Sequence, residues 1–253
     1  MKLGNPIARG NTAEIFLNNN KIIKLFNDHL PETEASKEAE KQRFVHSCGI
    51  SVPAILDVTT IEGKQAIIME YAEGKTLGDL FFEDTENQEH YLKISVDIQQ
   101  KIHGIISPSI EPMAGKLHRQ INDAHQLKPE QKLFLNKKLN SMSYENRLCH
   151  GDFHLFNLIM KDEGAVILDW VDASAGDFRA DVYRTYLLYS QLSQDIAESY
   201  LKLYCKRSGI LRSEVLDWAP IIAGARLSEN VSSENEDRLI AIVKDGCSSR
   251  QDR

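Results

Sequence analysis

The hydrophobic pattern of this chain changes near residue 75, and that change limits the folds it can adopt. Before this point, short runs of β-forming residues alternate with turn signals, and one helical segment interrupts them. After it, apolar residues recur at three- and four-residue spacing, which is typical of amphipathic helices. The sequence therefore predicts an α+β protein with a small N-terminal antiparallel sheet plus one helix, followed by a larger, mainly helical part.

The predicted elements support a division into two lobes. In the first lobe we expect strands at 14–17, 22–26, 55–60 and 65–71, a helix at 31–48, and room for one more strand before Gly10. In the second we expect helices covering 91–105, 116–125, 129–139, 183–190 and 196–204, and a hairpin of 157–160 with 165–170. Residues 69–74 have the character of a hinge, so the predicted lobes are 1–72 and 73–253.

Composition narrows the functional class. The 253 residues are 42% hydrophobic and 26% charged, as in an ordinary soluble protein. The net charge of -7 argues against a dedicated nucleic-acid binder. The four cysteines form no CxxC pair, which disfavours a zinc site or a disulfide framework. Without a signal-like N-terminus or a membrane-length apolar run, the expected location is the cytoplasm, away from membranes.

The stretch LCHGDFHLFNLIM at 148–160, followed by AVILDW at 165–170, carries the chemistry. Phosphoryl transfer needs an oriented hydroxyl, metal ions on the phosphates and cations that neutralise developing charge. The Asp152 carboxylate suits the first task. Asn157 and Asp169 offer oxygen ligands that a hairpin would bring together, and such hard ligands suit Mg²⁺ better than zinc.

These residues also resemble a known family. His150-x-Asp152-x-x-x-x-Asn157 followed by Asp169 resembles the catalytic and metal-binding segments of protein kinases. The form HGDxHxxN is more similar to the aminoglycoside phosphotransferase family of small-molecule kinases. The resemblance runs from about residue 7 to residue 184, and in pattern beyond. It implies a two-lobed protein-kinase-like fold, with Asp152 as catalytic base, Asn157 and Asp169 as Mg²⁺ ligands, and His150 bracing the loop.

Lys24 lies in the middle of an apolar strand, IIKLF, where a charge is costly unless it is paired. The resemblance implies that Lys24 contacts the α- and β-phosphates of ATP and pairs with a glutamate on the following helix. Glu38 is the predicted partner, with Glu34 on the same helical face.

The resemblance implies two further contacts with the nucleotide. The phosphate-covering loop would be formed by Gly10, Asn11 and Thr12, although this segment has one glycine where protein kinases have three. The adenine would bond the backbone of Glu70 and Ala72 in the hinge. Both assignments follow from position in the family pattern.

The predicted function is transfer of the γ-phosphate of ATP to a hydroxyl of a small molecule, such as an aminoglycoside, an amino alcohol or a sugar. Glu229 is a candidate to receive amino groups, although Arg226 competes for it. A Ser/Thr protein kinase is the first alternative. Gly151 in place of the arginine of HRD opposes it, and so does the short gap at 170–175. An inactive nucleotide-binding scaffold and an adenylyl-transferring enzyme also remain open.

Overall fold

The computed structural model describes residues 3–10, 12–106, 109–162 and 164–248, which divide into two units. The first unit holds the described residues up to Thr85 together with Leu155–Asp172. The second holds Glu86–His154 and the described residues from Ala173 onward. The chain therefore leaves the first unit, returns to it and leaves again. The predicted lobe boundary at residue 72 stays a prediction.

The described elements follow the predicted order of a sheet-rich part and a helical part. The strands are β1 (Ala8–Arg9), β2 (Ala13–Asn18), β3 (Lys21–Phe26), β4 (Ile55–Ile61), β5 (Lys64–Glu70), β6 (Arg147–Cys149), β7 (Leu158–Lys161), β8 (Gly164–Ile167) and β9 (Ser174–Gly176). The helices are α1 (Glu34–Ser47), α2 (Leu77–Glu83), α3 (Gln88–His103), α4 (Met113–Asp123), α5 (Pro129–Ser141), α6 (Phe178–Leu192), α7 (Gln194–Ser208), α8 (Arg212–Leu216), α9 (Ala219–Arg226) and α10 (Glu236–Ser248). The α+β class is confirmed.

The first unit is built on a five-stranded antiparallel sheet in the order β1-β2-β3-β5-β4. The short strand β1 fills the position predicted before Gly10. Asn19 and Asn20 join β2 to β3 with φ values of 48° and 59°. Asparagine tolerates this left-handed backbone, which a two-residue hairpin turn requires.

Side-chain alternation along β3 explains where its lysine lies. Ile23 and Leu25 belong to a buried cluster on one face of the sheet. Phe26 belongs to the cluster on the other face, which includes Ala35 and Ala39 of α1. Because side chains two residues apart share a face, Lys24 lies on the α1 side with Phe26.

The hairpin of β7 and β8 completes the first unit. Met160 donates its N–H to the carbonyl of Lys75 at 3.0 Å, next to α2. Helix α2, which the sequence did not predict, begins with a capping box between Thr76 and Asp79. The predicted second strand of the hairpin was wrong in length. It ends at Ile167, because Asp169 has a left-handed φ of 57° and cannot continue the strand.

The second unit is mainly helical and adds the small antiparallel pair of β6 and β9. The five predicted helices are present, and α6 begins earlier than expected, at Phe178. Helix α9 was not predicted because its residues from Pro220 to Ala225 are all buried, which removes the amphipathic period. None of the described helices is both long and apolar enough to cross a membrane.

Two glycines of the first unit provide a matched test of packing. Both have positive φ, 144° at Gly74 and 85° at Gly63. A Cβ at Gly74 would lie 2.8 Å from the carbonyl oxygen of Met160, whereas one at Gly63 would have no atom within 4 Å. We expect Gly74→Ala to lower the free energy of unfolding by about 1–3 kcal/mol more than Gly63→Ala, as measured by urea denaturation. Equal losses would show that the hairpin carbonyl moves aside freely.

Candidate active site

Lys24 is held between two carboxylates inside the first unit. Its Nζ donates to Oε1 of Glu38 at 2.6 Å and to Oδ1 of Asp169 at 3.3 Å. Lys24 is 8% exposed and Glu38 is 2% exposed, whereas the side chain of Asp169 is 42% exposed. The sheet, α1 and the segment after β8 thus each contribute one member of this ionic triad.

Burial and the neighbouring charges together set the pKa values of Lys24 and Glu38. Burial lowers the pKa of Lys24, but the carboxylates of Asp169 and Glu38 outweigh it, so this pKa lies above its ordinary value. Burial raises the pKa of Glu38, the charge of Lys24 offsets this only in part, and the like charge of the neighbouring Asp169 raises it further. Among the described residues, Oε2 of Glu38 has no hydrogen-bond partner. Lys24 therefore remains a fixed cation.

Asn157 and Asp169 lie at neighbouring ends of the β7–β8 hairpin. The register pairs Leu158 with Ile167, and the N–H of Leu168 donates to the carbonyl of Asn157 at 2.9 Å. Asp169 follows directly. The half-exposed Asp169 carboxylate already holds one cation, the ammonium of Lys24. An amide oxygen and a carboxylate at adjacent positions are donors that fit Mg²⁺.

Asp152 belongs to the second unit, on the loop that follows β6. Asp181, in the first turn of α6, accepts the N–H groups of His150 at 3.2 Å and of Gly151 at 2.7 Å. The N–H of Asp152 points to Nδ1 of His150 at 3.2 Å. Gly151 has a φ of 83°, which glycine adopts without strain. The loop is therefore fixed on both sides of its turn.

A buried polar network holds Asp181 in turn. Its Oδ2 contacts Nε2 of His103 at 2.8 Å and Nε2 of Gln99 at 3.4 Å. The other ring nitrogen of His103 contacts the hydroxyl of Tyr204 at 2.6 Å. Burial would raise the pKa of Asp181, but the hydrogen bond from His103 and the other donors outweigh it, so this pKa is lowered. Asp181 thus stays ionised and anchors the loop.

Cys149 lies beside this network, and its Sγ, His103 and Asp181 have ligand atoms within 4.8 Å of one another. Such a trio has the spacing of a metal site. However, both ring nitrogens of His103 are already engaged. Burial also raises the pKa of the Cys149 thiol well above its usual range, so the thiol is neutral. The trio is part of the loop anchor.

The groups around the Asp152 carboxylate favour its ionised form. Nε2 of His154 lies 3.5 Å from its Oδ2, and the Arg184 guanidinium and the His150 ring also favour the carboxylate electrostatically. Burial alone would raise the pKa of Asp152, but the hydrogen bond from His154 and these charges outweigh it, so the pKa lies below its ordinary value. The carboxylate is therefore ionised at neutral pH.

Arg184 was not singled out from the sequence, and it begins a chain of ion pairs. Its Nη2 donates to Glu229 at 2.8 Å, and Glu229 also accepts Arg226. Arg226 contacts Glu234 at 3.3 Å, and Arg238 contacts Glu234 at 2.8 Å. Arg184 follows Asp181 by three residues on α6, so the two share a helical face. That spacing was the signal available in the sequence.

The predicted phosphate loop lies at the hairpin of β1 and β2. The N–H of Gly10 donates to the carbonyl of Ala13 at 2.9 Å, and the carbonyl of Thr12 accepts the N–H of Asn27 at 2.9 Å. Asn11 lies outside the described residues. The N–H of Gly10 is therefore already engaged, and it could bind a phosphate only if its bond to Ala13 broke. At Thr12 the bond to Asn27 uses the carbonyl and not the N–H.

The predicted adenine contacts lie at the end of β5. Glu70 is the last residue of that strand, and its N–H donates to the carbonyl of Ala54 at 3.0 Å. The Glu70 side-chain carboxylate in turn accepts the N–H of Ala54 at 3.1 Å. Ala72 lies two residues further on, partly buried and outside regular secondary structure.

The sequence matches the profile of one known protein family. The profile of the phosphotransferase enzyme family matches residues 4–218, which is most of the chain. The protein belongs to this family. A search of curated proteins finds no significant match.

Solved structures share the fold at low sequence identity. A thermostable mutant of aminoglycoside phosphotransferase APH(4)-Ia, in a ternary complex with ADP and hygromycin B, has a TM-score of 0.71 and 15% identity, covering 98% of this chain and 95% of that one. Aminoglycoside phosphotransferase APH(3'')-Id from Streptomyces rimosus has a TM-score of 0.68 and 14% identity, covering 88% and 92%. A choline/ethanolamine kinase family protein from Mesorhizobium loti has a TM-score of 0.65 and 16% identity, covering 96% and 87%. The predicted protein-kinase-like fold is confirmed.

The charge of Arg184 gives a test of the Asp152 environment. We expect Arg184→Met to raise the pKa of the Asp152 carboxyl, because a nearby cation that favours the ionised form is lost. The midpoint of its carboxyl carbon titration, followed by NMR, should move to higher pH. Arg212→Met is the matched control, since Arg212 is half-exposed and pairs with Glu198. An unchanged midpoint in Arg184→Met would remove Arg184 from this environment.

Proposed function

We propose that this protein is an ATP-dependent phosphotransferase that transfers the γ-phosphate to a hydroxyl of a small molecule. The observation that carries the proposal is the buried Lys24, held at 2.6 Å by Glu38 and at 3.3 Å by Asp169. A buried lysine that two acidic groups keep charged, one of them half-exposed, is suited to bind a polyphosphate. Family membership supports the same reaction class.

Lys24 would neutralise the α- and β-phosphates of ATP, with Glu38 holding its ammonium in place. Asn157 and Asp169 would hold Mg²⁺, and this ion, when bound, supplies charge neutralisation on the phosphates. Lys24 Nζ lies 3.3 Å from Oδ1 of Asp169, so the lysine that would meet the phosphates lies beside the carboxylate that would hold the metal ion.

Asp152 would align the acceptor hydroxyl and take its proton. The acceptor oxygen forms a bond to the γ-phosphorus, the bond from that phosphorus to the ADP oxygen breaks, and the hydroxyl proton passes to Asp152. A carboxylate with a lowered pKa is a weak base. It is still sufficient, because a loose transition state keeps the hydroxyl proton until late in the transfer. Orientation is therefore the main contribution of Asp152.

The adenine would bind the backbone at the end of β5. Because the N–H of Glu70 is used by Ala54, the carbonyl oxygen of Glu70 is the group proposed for the amino group of adenine. The N–H of Ala72 would serve a ring nitrogen. Nucleotide use is supported by the similar structures, one of which holds ADP.

The acceptor class is proposed more broadly than aminoglycosides. Glu229 accepts Arg184 and Arg226, and Glu234 accepts Arg226 and Arg238. Carboxylates shared between arginines attract the amino groups of a polycation less than unshared ones would. Hygromycin B is bound by one similar structure, and another is named as a choline/ethanolamine kinase family protein. Neutral sugars and amino alcohols therefore belong in the acceptor panel beside aminoglycosides.

A cytoplasmic setting is part of the proposal. ATP is an intracellular phosphate donor, and the four cysteines are free thiols. Free thiols persist in reducing compartments.

Asp152→Asn tests the reaction itself. ADP release should be measured with Mg·ATP and a panel of aminoglycosides, amino alcohols and sugars. We expect at least one acceptor to accelerate ADP release, and Asp152→Asn to slow it by about 10²–10⁴-fold. The affinity for Mg·ATP, measured by calorimetry, should change little because the aspartate acts in the transition state.

A matching loss of Mg·ATP affinity would contradict this role. If no acceptor accelerated ADP release while Mg·ATP still bound, the inactive scaffold would be favoured.

Lys24→Ala and Lys21→Ala form a matched pair on the same strand, since Lys24 is buried and Lys21 is exposed. The rise in melting temperature on adding Mg·ATP reports the affinity of the native state. We expect this rise to be largely lost in Lys24→Ala and kept in Lys21→Ala. Similar rises in the two variants would remove Lys24 from the nucleotide site.

A further inference from the structure

The backbone at Asp169 needs an external constraint. Its φ of 57° places a residue with a Cβ in the left-handed region, which costs energy and persists only where the surroundings impose it. The carboxylate of Asp169 must nevertheless point consistently toward its partners if it is to hold a metal ion. Contacts on each side of Asp169 fix this turn.

The side before Asp169 is fixed by backbone bonds. Ile167 donates its N–H to the carbonyl of Ser51 at 2.9 Å, and Leu168 donates to the carbonyl of Asn157 at 2.9 Å. The indole of the fully buried Trp170 donates back to the carbonyl of Ile167 at 3.2 Å. These contacts hold the strand end and the residue after Asp169.

The side after Asp169 is held by a side chain from α1. Nζ of Lys41 donates to the carbonyl oxygen of Val171 at 2.7 Å. Lys41 follows Glu38 by three residues, so the two lie on one face of the helix. Helix α1 is therefore connected to the Asp169 segment in two ways. Glu38 binds Lys24, which contacts the Asp169 side chain, and Lys41 binds the backbone carbonyl of Val171.

We propose that Lys41 is a positioning residue, which holds the turn of Asp169 in the geometry that a metal ion on its carboxylate requires. This inference rests on the proposed function. A lysine on a helix is more often a solvated charge. Lys41 is half-buried instead, and its ammonium donates to a carbonyl two residues beyond the strained position. Mutation of the partners that orient a metal ligand commonly lowers metal affinity by about 10–100-fold.

Lys41→Met, which keeps the apolar stem and removes the donor, tests the proposal. The Mg²⁺ concentration that half-saturates the rise in melting temperature should be measured at saturating ADP. We expect it to increase on the order of tenfold. The affinity for ADP without metal, measured by calorimetry, should stay unchanged. Lys41→Arg keeps a donor and should recover part of the loss. Lys37→Met, at an exposed position one turn earlier on α1, should behave as the wild type.

The outcomes separate this inference from the proposed function. If the wild type responds to Mg²⁺ and Lys41→Met responds equally, Lys41 has no positioning role and the proposed function is untouched. An equal loss of metal-free ADP affinity in Lys41→Met would indicate a general disturbance of the unit, and would also overturn the role. Absence of any Mg²⁺ response in the wild type would overturn the metal site, and the inference with it.

Discussion

The shared ammonium of Lys24 is the interaction on which the first unit depends. One buried cation serves two carboxylates, Glu38 from the helix and Asp169 from the hairpin. Removing either carboxylate would leave the other pair intact, whereas removing the lysine would leave a buried glutamate without its cation. The alternation of β3 aims Lys24 at α1, and the same strand supplies Ile23 and Phe26 to the two apolar clusters. Packing and ionic contacts therefore fix the same strand.

The second unit uses a different device to fix its loop. The buried Asp181 carboxylate accepts two backbone N–H groups and contacts the buried ring of His103. The constraint is thus placed on the main chain next to Asp152, and the Asp152 side chain stays partly accessible, at 26% exposure. A rigid main chain with an accessible carboxylate suits a group that must meet a diffusing substrate.

The sequence predicted the sheet and most of the helices, because these follow from local periodicity. The cost of an unpaired buried charge predicted a partner for Lys24, and the family resemblance pointed to Glu38 as that partner. Alternation alone could not show that Asp169 leaves the strand early, since a left-handed residue has no signature in hydrophobic pattern. Arg184 and Lys41 were missed for another reason. Their partners, Glu229 and the carbonyl of Val171, are distant in the chain, and a carbonyl leaves no trace in the sequence. The roles assigned to Asp152, Asn157 and Asp169 stay predictions, because they concern contacts with a substrate and a metal ion.

The division of the chain has a consequence for biosynthesis. The first unit needs Leu155–Asp172, which the ribosome makes only after Glu86–His154 of the second unit. The β7–β8 hairpin and Asp169 have therefore not been made when the N-terminal sheet emerges. Of the two carboxylates that pair with Lys24, Glu38 alone has been synthesised at that stage. Folding during translation usually proceeds from the N-terminus, one unit at a time. Here the first unit is complete only once Asp172 has been made, after Glu86–His154 of the second unit, and the second unit still needs the residues from Ala173 onward. A truncated chain ending at Thr85 would therefore be an unfinished unit.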